Sequence, residues 1–340
     1  MNNGQRTADN GQKLRTATIG VGSLGRHHAR NHAQLSSEGK SELVVVCDIR
    51  EEVARKVAEE WKTDWTADWR SLIGRVDAVS LATPTESHCK IACALLEAGV
   101  HILVEKPIAR TLEEADRIIE AAKKSGATLM VGHLERYNPA LVALRPHVST
   151  PLYFEIHRVG QFAARSLDID VVLDVMIHDL DIVHWLVGED VEVLDVRAVG
   201  VPVLTQKVDA ANVRVEFANG AVANITASRI GTEKIRKMRF FQPHDYVIVD
   251  YLTNYASISS LVPPQGANLW PGVNVRKFDV NQVEPLRAEI EAFLEAASAK
   301  KPAPIPGEDG RRALALALRA LERIHEHAMR AGVPSVGSRR

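Results

Sequence analysis

The sequence predicts an α/β domain with a doubly wound parallel sheet, followed by an α+β domain with a large, mostly antiparallel, open-faced sheet. Three observations predict it. Short apolar runs alternate with amphipathic helical stretches from residue 14 to 131; a Gly-x-Gly-x-x-Gly lies between the first run and the first helix; and from residue 151 the texture changes to closely spaced β-type segments. A length of 340 residues is a soft prior for two domains, each large enough to bury a core. Lysine and arginine number 42 against 43 aspartates and glutamates, a net charge of -1, so nothing in the charge points to nucleic acid or an acidic membrane surface. An anionic ligand has to be met by local groups. Cys47, Cys89 and Cys93 are too few for a disulfide framework, which fits a reducing compartment. No stretch approaches the ~18 apolar residues of a membrane helix, and the polar opening lacks the apolar stretch of a leader, so a cytoplasmic protein that is not bound to membranes is expected.

The apolar runs 16–21, 43–47, 78–82, 101–104 and 128–131 read as parallel strands. Between them, 51–60, 86–98 and 112–124 read as helices, with Gly99 and Gly126 at C-terminal ends. Segments 152–160, 191–201, 212–217, 222–228, 236–241, 246–250 and 255–260 then read as strands, and Asn219-Gly220 is a hairpin turn signal. One helix, 173–187, interrupts them. So many strands on so few helices leave a sheet face free, and a homodimer or homotetramer through that face is expected. The chain returns to helix over 284–299 and 310–331, where Leu314, Leu318, Leu321 and Ile324 keep helical spacing, with the proline-rich link 301–307 between. The expected organisation is a tail (1–13), a nucleotide-binding domain (14–132), a substrate and oligomerisation domain (133–283), helices packing back on the core (284–331) and a second tail (332–340).

Gly20-Val21-Gly22-Ser23-Leu24-Gly25, between strand and helix, has the context of the Rossmann dinucleotide fingerprint. Gly20 allows the tight turn, Gly22 lets the backbone approach the pyrophosphate, and Gly25 lets the helix pack on the strand with its N-terminus toward the phosphates. The second run ends at Cys47-Asp48-Ile49, further from Gly20 than the usual ~20 residues but still at a strand end. A carboxylate there accepts from a ribose 2′-hydroxyl and repels a 2′-phosphate, which favours NAD; Arg50, two residues on, blunts that repulsion and leaves NADP open. Ala82-Thr83-Pro84 and Glu105-Lys106-Pro107 close two further strands. Ligands of open parallel sheets bind beyond the strands' carboxyl ends, so these segments are expected at the nicotinamide half of the cofactor. His28 with His32, and His88 with Cys89 and Cys93, have ligand-like spacing, but a metal would compete with the fingerprint, and helix-buried thiols behave as small hydrophobes. No metal is expected from these groups, nor from Asp174, His178 and His184.

These motifs, with Ala98-Gly99-Val100-His101 leading into Glu105-Lys106-Pro107 and an Asp174-x-x-x-His178 pair, resemble the glucose-fructose oxidoreductase, inositol dehydrogenase and MocA family of NAD(P)-dependent oxidoreductases, across nearly the whole chain. The resemblance implies that Lys106, Asp174 and His178 are catalytic, and that Gly20, Gly22, Ser23, Leu24, Gly25, Asp48, Ile49, Ala82, Thr83, Pro84, His88, Glu105 and Lys106 bind cofactor. Residue chemistry supports the trio. Asp174 and His178 stand i, i+4 on one helix and share a face. Oxidising a secondary alcohol needs a base while hydride leaves, and histidine suits that near neutral pH. Lys106 shares that proton or holds a developing alkoxide by charge.

The stretch Gly132-His133-Leu134-Glu135-Arg136-Tyr137-Asn138-Pro139 resembles a signature of the branch containing UDP-N-acetylglucosamine 3-dehydrogenases. A sugar nucleotide needs cationic donors for its diphosphate, and Arg136, Arg158 and Arg165 are the candidates. His133, Arg136, Tyr137 and Arg165, with Lys106, Asp174 and His178, are the expected substrate contacts. The loop 161–167 is poorer in proline and arginine than the branch pattern, so a free sugar or cyclitol stays open as substrate. A dinucleotide-binding regulator without turnover has no need for the trio.

Overall fold

The computed structural model describes residues 13–162, 169–263, 271–280 and 283–332. In chain order the first half runs β1 (Arg15–Ile19), α1 (Gly25–Ser37), β2 (Glu42–Cys47), α2 (Glu51–Trp61), β3 (Asp64–Thr66), β4 (Ala78–Leu81), α3 (His88–Glu97), β5 (His101–Glu105), α4 (Leu112–Ser125) and β6 (Leu129–Gly132). All six strands pair in parallel in the order β3-β2-β1-β4-β5-β6. This is the doubly wound order of a dinucleotide-binding sheet. Burial on both faces explains why β4 and β6 read as unbroken apolar runs rather than alternating ones. Helix α4 shows the local rules at work. The Thr111 hydroxyl accepts from the Glu114 amide at 3.2 Å, the Glu114 carboxylate accepts from the Arg110 amide at 3.1 Å, and Gly126 ends the helix at φ +72.

The second half runs α5 (Pro139–Leu144), β7 (Tyr153–Val159), α6 (Ile177–Val187), then β8 (Val193–Val201), β9 (Ala210–Phe217), β10 (Val222–Ser228), β11 (Ile235–Gln242), β12 (Asp245–Asp250), β13 (Tyr255–Val262) and β14 (Gly272–Lys277). These eight strands form one sheet, β14-β13-β12-β11-β7-β10-β9-β8, antiparallel throughout except for β7 beside β10. Strand β9 alternates cleanly: Ala211, Val213, Val215 and Phe217 join the core, while Asn212, Arg214 and Glu216 face outward. The expected open-faced sheet is therefore present. Two helices, α7 (Pro285–Ala299) and α8 (Gly307–Arg330), close the chain.

The chain divides into two compact units, Met1–His133 with Leu286–Arg311 and Leu134–Pro285 with Arg312–Arg340. The division within the C-terminal region falls at Arg311, inside α8, rather than ahead of both helices. Three sequence expectations need correction. Strand β3 has only three residues, too few to show a period, and β14 is exposed along its length, so no core pattern marks it. The interrupting helix is not uniform: Val172–Met176 forms a π turn, and regular α6 begins only at Ile177. Among the described residues no helix is long and apolar enough to cross a membrane.

Candidate active site

The glycine loop fixes the first part of the site. Gly20 has φ +82, and a Cβ there would lie 2.8 Å from the Ala82 carbonyl oxygen; a Cβ on Gly25 would lie 1.7 Å from the Gly20 carbonyl oxygen. Both positions require glycine, and α1 starts at Gly25 with its N-terminus at the loop and no side-chain cap. Asp48 is buried and already engaged. One oxygen accepts from the Val21 amide at 3.1 Å, the other from the Arg50 amide at 3.0 Å and its guanidinium at 3.2 Å. Arg50 thus lies on the carboxylate. A cavity of about 460 Å³ opens beside the loop, lined by Gly22, Ser23, Arg26, Arg50, Val53 and Lys56 among others. Arg26, Arg50 and Lys56 on its wall, set against Glu52 and Glu60, offer cationic donors for a phosphate-bearing adenosine half. Ile49 is 87% exposed and Leu24 42%.

At the second strand pair, Ala82-Thr83-Pro84 leads into a short turn and Glu105-Lys106-Pro107 closes β5. His88 is buried, with Nδ1 3.0 Å from the Pro107 carbonyl oxygen and Nε2 2.9 Å from that of Thr83. Burial lowers its pKa, against the two carbonyl contacts, which raise it. It is a strut between two loops, not a group presented to a ligand. Glu105 takes His28 Nε2 at 2.9 Å; a Cβ on Gly132 would sit 3.2 Å from its carboxyl carbon, so glycine makes room there. Burial alone would raise the Glu105 carboxyl, but the hydrogen bond and charge of His28 hold it below the usual range. Lys106 follows directly, half-buried, joined to Pro107 by a cis peptide.

Behind this strand end sequence reasoning missed a group. Glu289 of α7 is fully buried, and neither carboxyl oxygen has a hydrogen-bond partner among the described residues. Burial, then the charge of Glu105, pushes its pKa well above the carboxylate range, so it is a neutral acid. His28 and His32 of α1 have structural partners. His32 Nε2 lies 2.9 Å from the Ser80 hydroxyl, and burial drops its pKa to about 3. The Cys89 and Cys93 sulfurs are 4.0 Å apart, and burial pushes the Cys93 thiol up to about 12.

In the second unit, Asp174 occupies the π turn and His178 the first turn of α6, both half-buried. Their i, i+4 spacing therefore spans the junction of two helix types. Arg136, expected at a diphosphate, is buried on Asp181 with contacts of 2.8 and 2.6 Å, its guanidinium 5.2 Å from the Trp185 ring. Arg158 is likewise bound to Asp179 at 2.7 Å by two nitrogens and to Glu135 at 2.6 Å. Their donors face carboxylates, not an open surface. His133 is buried, Tyr137 is half-buried in the turn Leu134–Tyr137, and Asn138 caps α5 through the Ala140 amide at 3.1 Å. Arg165 lies outside the described residues. The burial of Asp179 and Asp181 left no sequence signal, because only their arginine partners, on β7 and in the turn Leu134–Tyr137, reveal it.

A parallel sheet in this order, closed by a glycine loop with a carboxylate at the next strand end, is the architecture of a dinucleotide-binding domain. Residues 14–133 match the GFO/IDH/MocA oxidoreductase family, NAD-binding Rossmann fold, and residues 145–241 match the GFO/IDH/MocA C-terminal domain. The chain belongs to this family, and its first unit is an NAD-binding Rossmann domain. It is similar to UDP-N-acetylglucosamine 3-dehydrogenase of Acidithiobacillus ferrooxidans, 42% identical over 309 residues, 90% of this chain and 95% of the relative. A crystal form of that enzyme superposes with a TM-score of 0.86 over 92% of this chain and 98% of that one. A scyllo-inositol 2-dehydrogenase (NAD(+)) of Bacillus subtilis is 30% identical over 64% of this chain and 68% of the relative. Levoglucosan dehydrogenase in complex with NADH shares the fold, with a TM-score of 0.82 at 21% identity over 93% of this chain and 97–98% of that one.

Proposed function

We propose that this protein oxidises the 3-hydroxyl of UDP-N-acetylglucosamine with NAD. The observation that carries the reading is the 42% identity, across 95% of its length, to an enzyme named for that reaction. NAD supplies the hydride acceptor when bound. Gly20, Gly22 and Gly25 would admit its pyrophosphate, and Asp48 with Arg50 would meet the adenosine ribose. On the substrate, His178 takes the hydroxyl proton, Asp174 accepts a hydrogen bond that orients the sugar, and the Lys106 ammonium stabilises developing negative charge on oxygen. A preset donor of this kind is worth roughly 3 kcal/mol in the barrier, about two orders of magnitude in rate.

A specific observation keeps a second reading in view. Arg136 and Arg158, two of the three arginines expected at the diphosphate, are bound to carboxylates, which fits a free sugar or cyclitol better than a nucleotide. The test is absorbance of reduced nicotinamide with NAD and, in turn, UDP-N-acetylglucosamine, UDP-glucose, glucose and myo-inositol. Response to UDP-N-acetylglucosamine supports the first reading, and response only to free polyols replaces it with the second. We also propose a homo-oligomer through the outer face of the eight-stranded sheet. Supporting it, Tyr153, Phe241 and Tyr246 stack across β7, β11 and β12 on that face, with ring centroids 5.8 and 4.9 Å apart.

A further inference from the structure

Two arginines in the second unit are buried against the helix that carries His178. Arg158 of β7 forks onto Asp179 at 2.7 Å through both nitrogens and donates to Glu135 at 2.6 Å. Arg136 forks onto Asp181 at 2.8 and 2.6 Å and reaches Glu189 at 3.4 Å. All four members of the two forks are buried: Arg136 7%, Arg158 3%, Asp179 0% and Asp181 2% exposed. Asp179 and Asp181 immediately follow His178 on α6, one on each side of Leu180.

Stability is a poor reason for this arrangement. Burying an ion costs several kcal/mol, and apolar residues of similar volume hold elements together as well or better. What a forked pair adds is direction, because two parallel N–H···O bonds fix the plane and height of the carboxylate. Residues two apart on an α-helix lie roughly 200° apart around its axis. Forks at Asp179 and Asp181 therefore hold α6 from opposite sides, so it neither turns nor slides. Immediately before them lies the wide turn Val172–Met176, which sets Asp174 at an angle that a regular helix would not give.

We propose that Arg158–Asp179 and Arg136–Asp181 are positioning pairs that set the rotation of α6 and thereby aim His178 and Asp174 at the substrate hydroxyl. The proposal rests on the acid–base reading above. It gives Glu135 and Arg136 of the 132–139 motif a role in holding this helix rather than in touching substrate.

The test is the double variant Arg158→Met/Asp179→Leu, which leaves Glu135 with Arg236 at 3.9 Å. Its denaturation midpoint is expected to equal or exceed the parent's. The affinity for NAD, measured by titration, is unchanged, and kcat falls about 100-fold with little change in KM, as a misplacement of about 1 Å produces. The imidazole resonance of His178, assigned by its loss in His178→Ala, shifts. A folded variant with kcat within about twofold of the parent and an unmoved resonance overturns the proposal. So does a midpoint that falls in step with activity, which marks a purely structural pair. Should the double variant not fold, Arg136→Met/Asp181→Leu at the second pair, which leaves Glu189 with Arg312 at 3.4 Å, is expected to show the same split. If the parent does not turn over UDP-N-acetylglucosamine, or His178→Ala keeps full turnover, the functional reading fails, while the His178 resonance still decides whether the pairs position it.

Discussion

Glu289 makes the sharpest prediction at the scale of a single residue. In the unfolded chain its carboxyl ionises near 4.5; in the folded protein burial and Glu105 hold the proton on to much higher pH. As pH rises past that lower value, the unfolded chain gains ionisation free energy that the folded chain forgoes, at up to about 1.4 kcal/mol per pH unit. Stability from this group is thus complete below the unfolded value and lost as pH rises toward the folded one. Glu289→Gln does not titrate. It is expected to be more stable than the parent at about pH 8, with a gap in urea midpoints that widens between about pH 6 and pH 8; a gap that stays flat contradicts the assignment. Asp48→Ala loses a carboxylate that anchors Val21, and with the proposed ribose contact gone NAD affinity is expected to fall roughly tenfold or more by titration, a loss of about 1.5–3 kcal/mol for hydrogen bonds to a charged group. Asp48 was legible from its place at a strand end. Glu289 was not, because Ala288-Glu289-Ile290-Glu291 reads as an ordinary amphipathic helix, and only the packed neighbours show which glutamate is inside.

At the scale of elements, the first unit was the more readable. Each parallel strand is an apolar run with a helix after it, and the glycine of the loop is demanded by local geometry that the motif itself encodes. The prediction that belongs here is Gly25→Ala: its Cβ would overlap the Gly20 carbonyl, so either α1 or the loop must shift. A loss of about 3 kcal/mol or more in urea denaturation is expected, together with loss of NAD binding; retention of both refutes the close packing described. The second unit was readable where strands alternate, as in β9, and opaque where no core pattern reaches, as in β14. The π turn at Val172–Met176 left no sequence signal, since Val-Leu-Asp-Val-Met suits either helix type. The forked pairs were hidden for a related reason. An arginine four residues past Gly132 and another on a strand look like surface donors until their carboxylates on α6 are seen.

For the whole molecule, the outer sheet face and the reaction are the open matters. Phe241→Lys with Tyr246→Lys puts charge on the aromatic stripe, and light scattering is expected to show a smaller species than the parent, with the fold retained by circular dichroism; an unchanged mass moves the interface elsewhere. The central claim, that this family member takes hydride from the sugar of a sugar nucleotide, is tested most directly by label transfer. UDP-N-acetylglucosamine carrying deuterium at C3 is incubated with NAD and protein, and the reduced nicotinamide is weighed by mass spectrometry. The account predicts reduced cofactor one mass unit heavier than that from unlabelled substrate. Cofactor that stays oxidised, while a free sugar or inositol reduces it, contradicts the sugar-nucleotide claim, and reduced cofactor without deuterium contradicts hydride removal from C3.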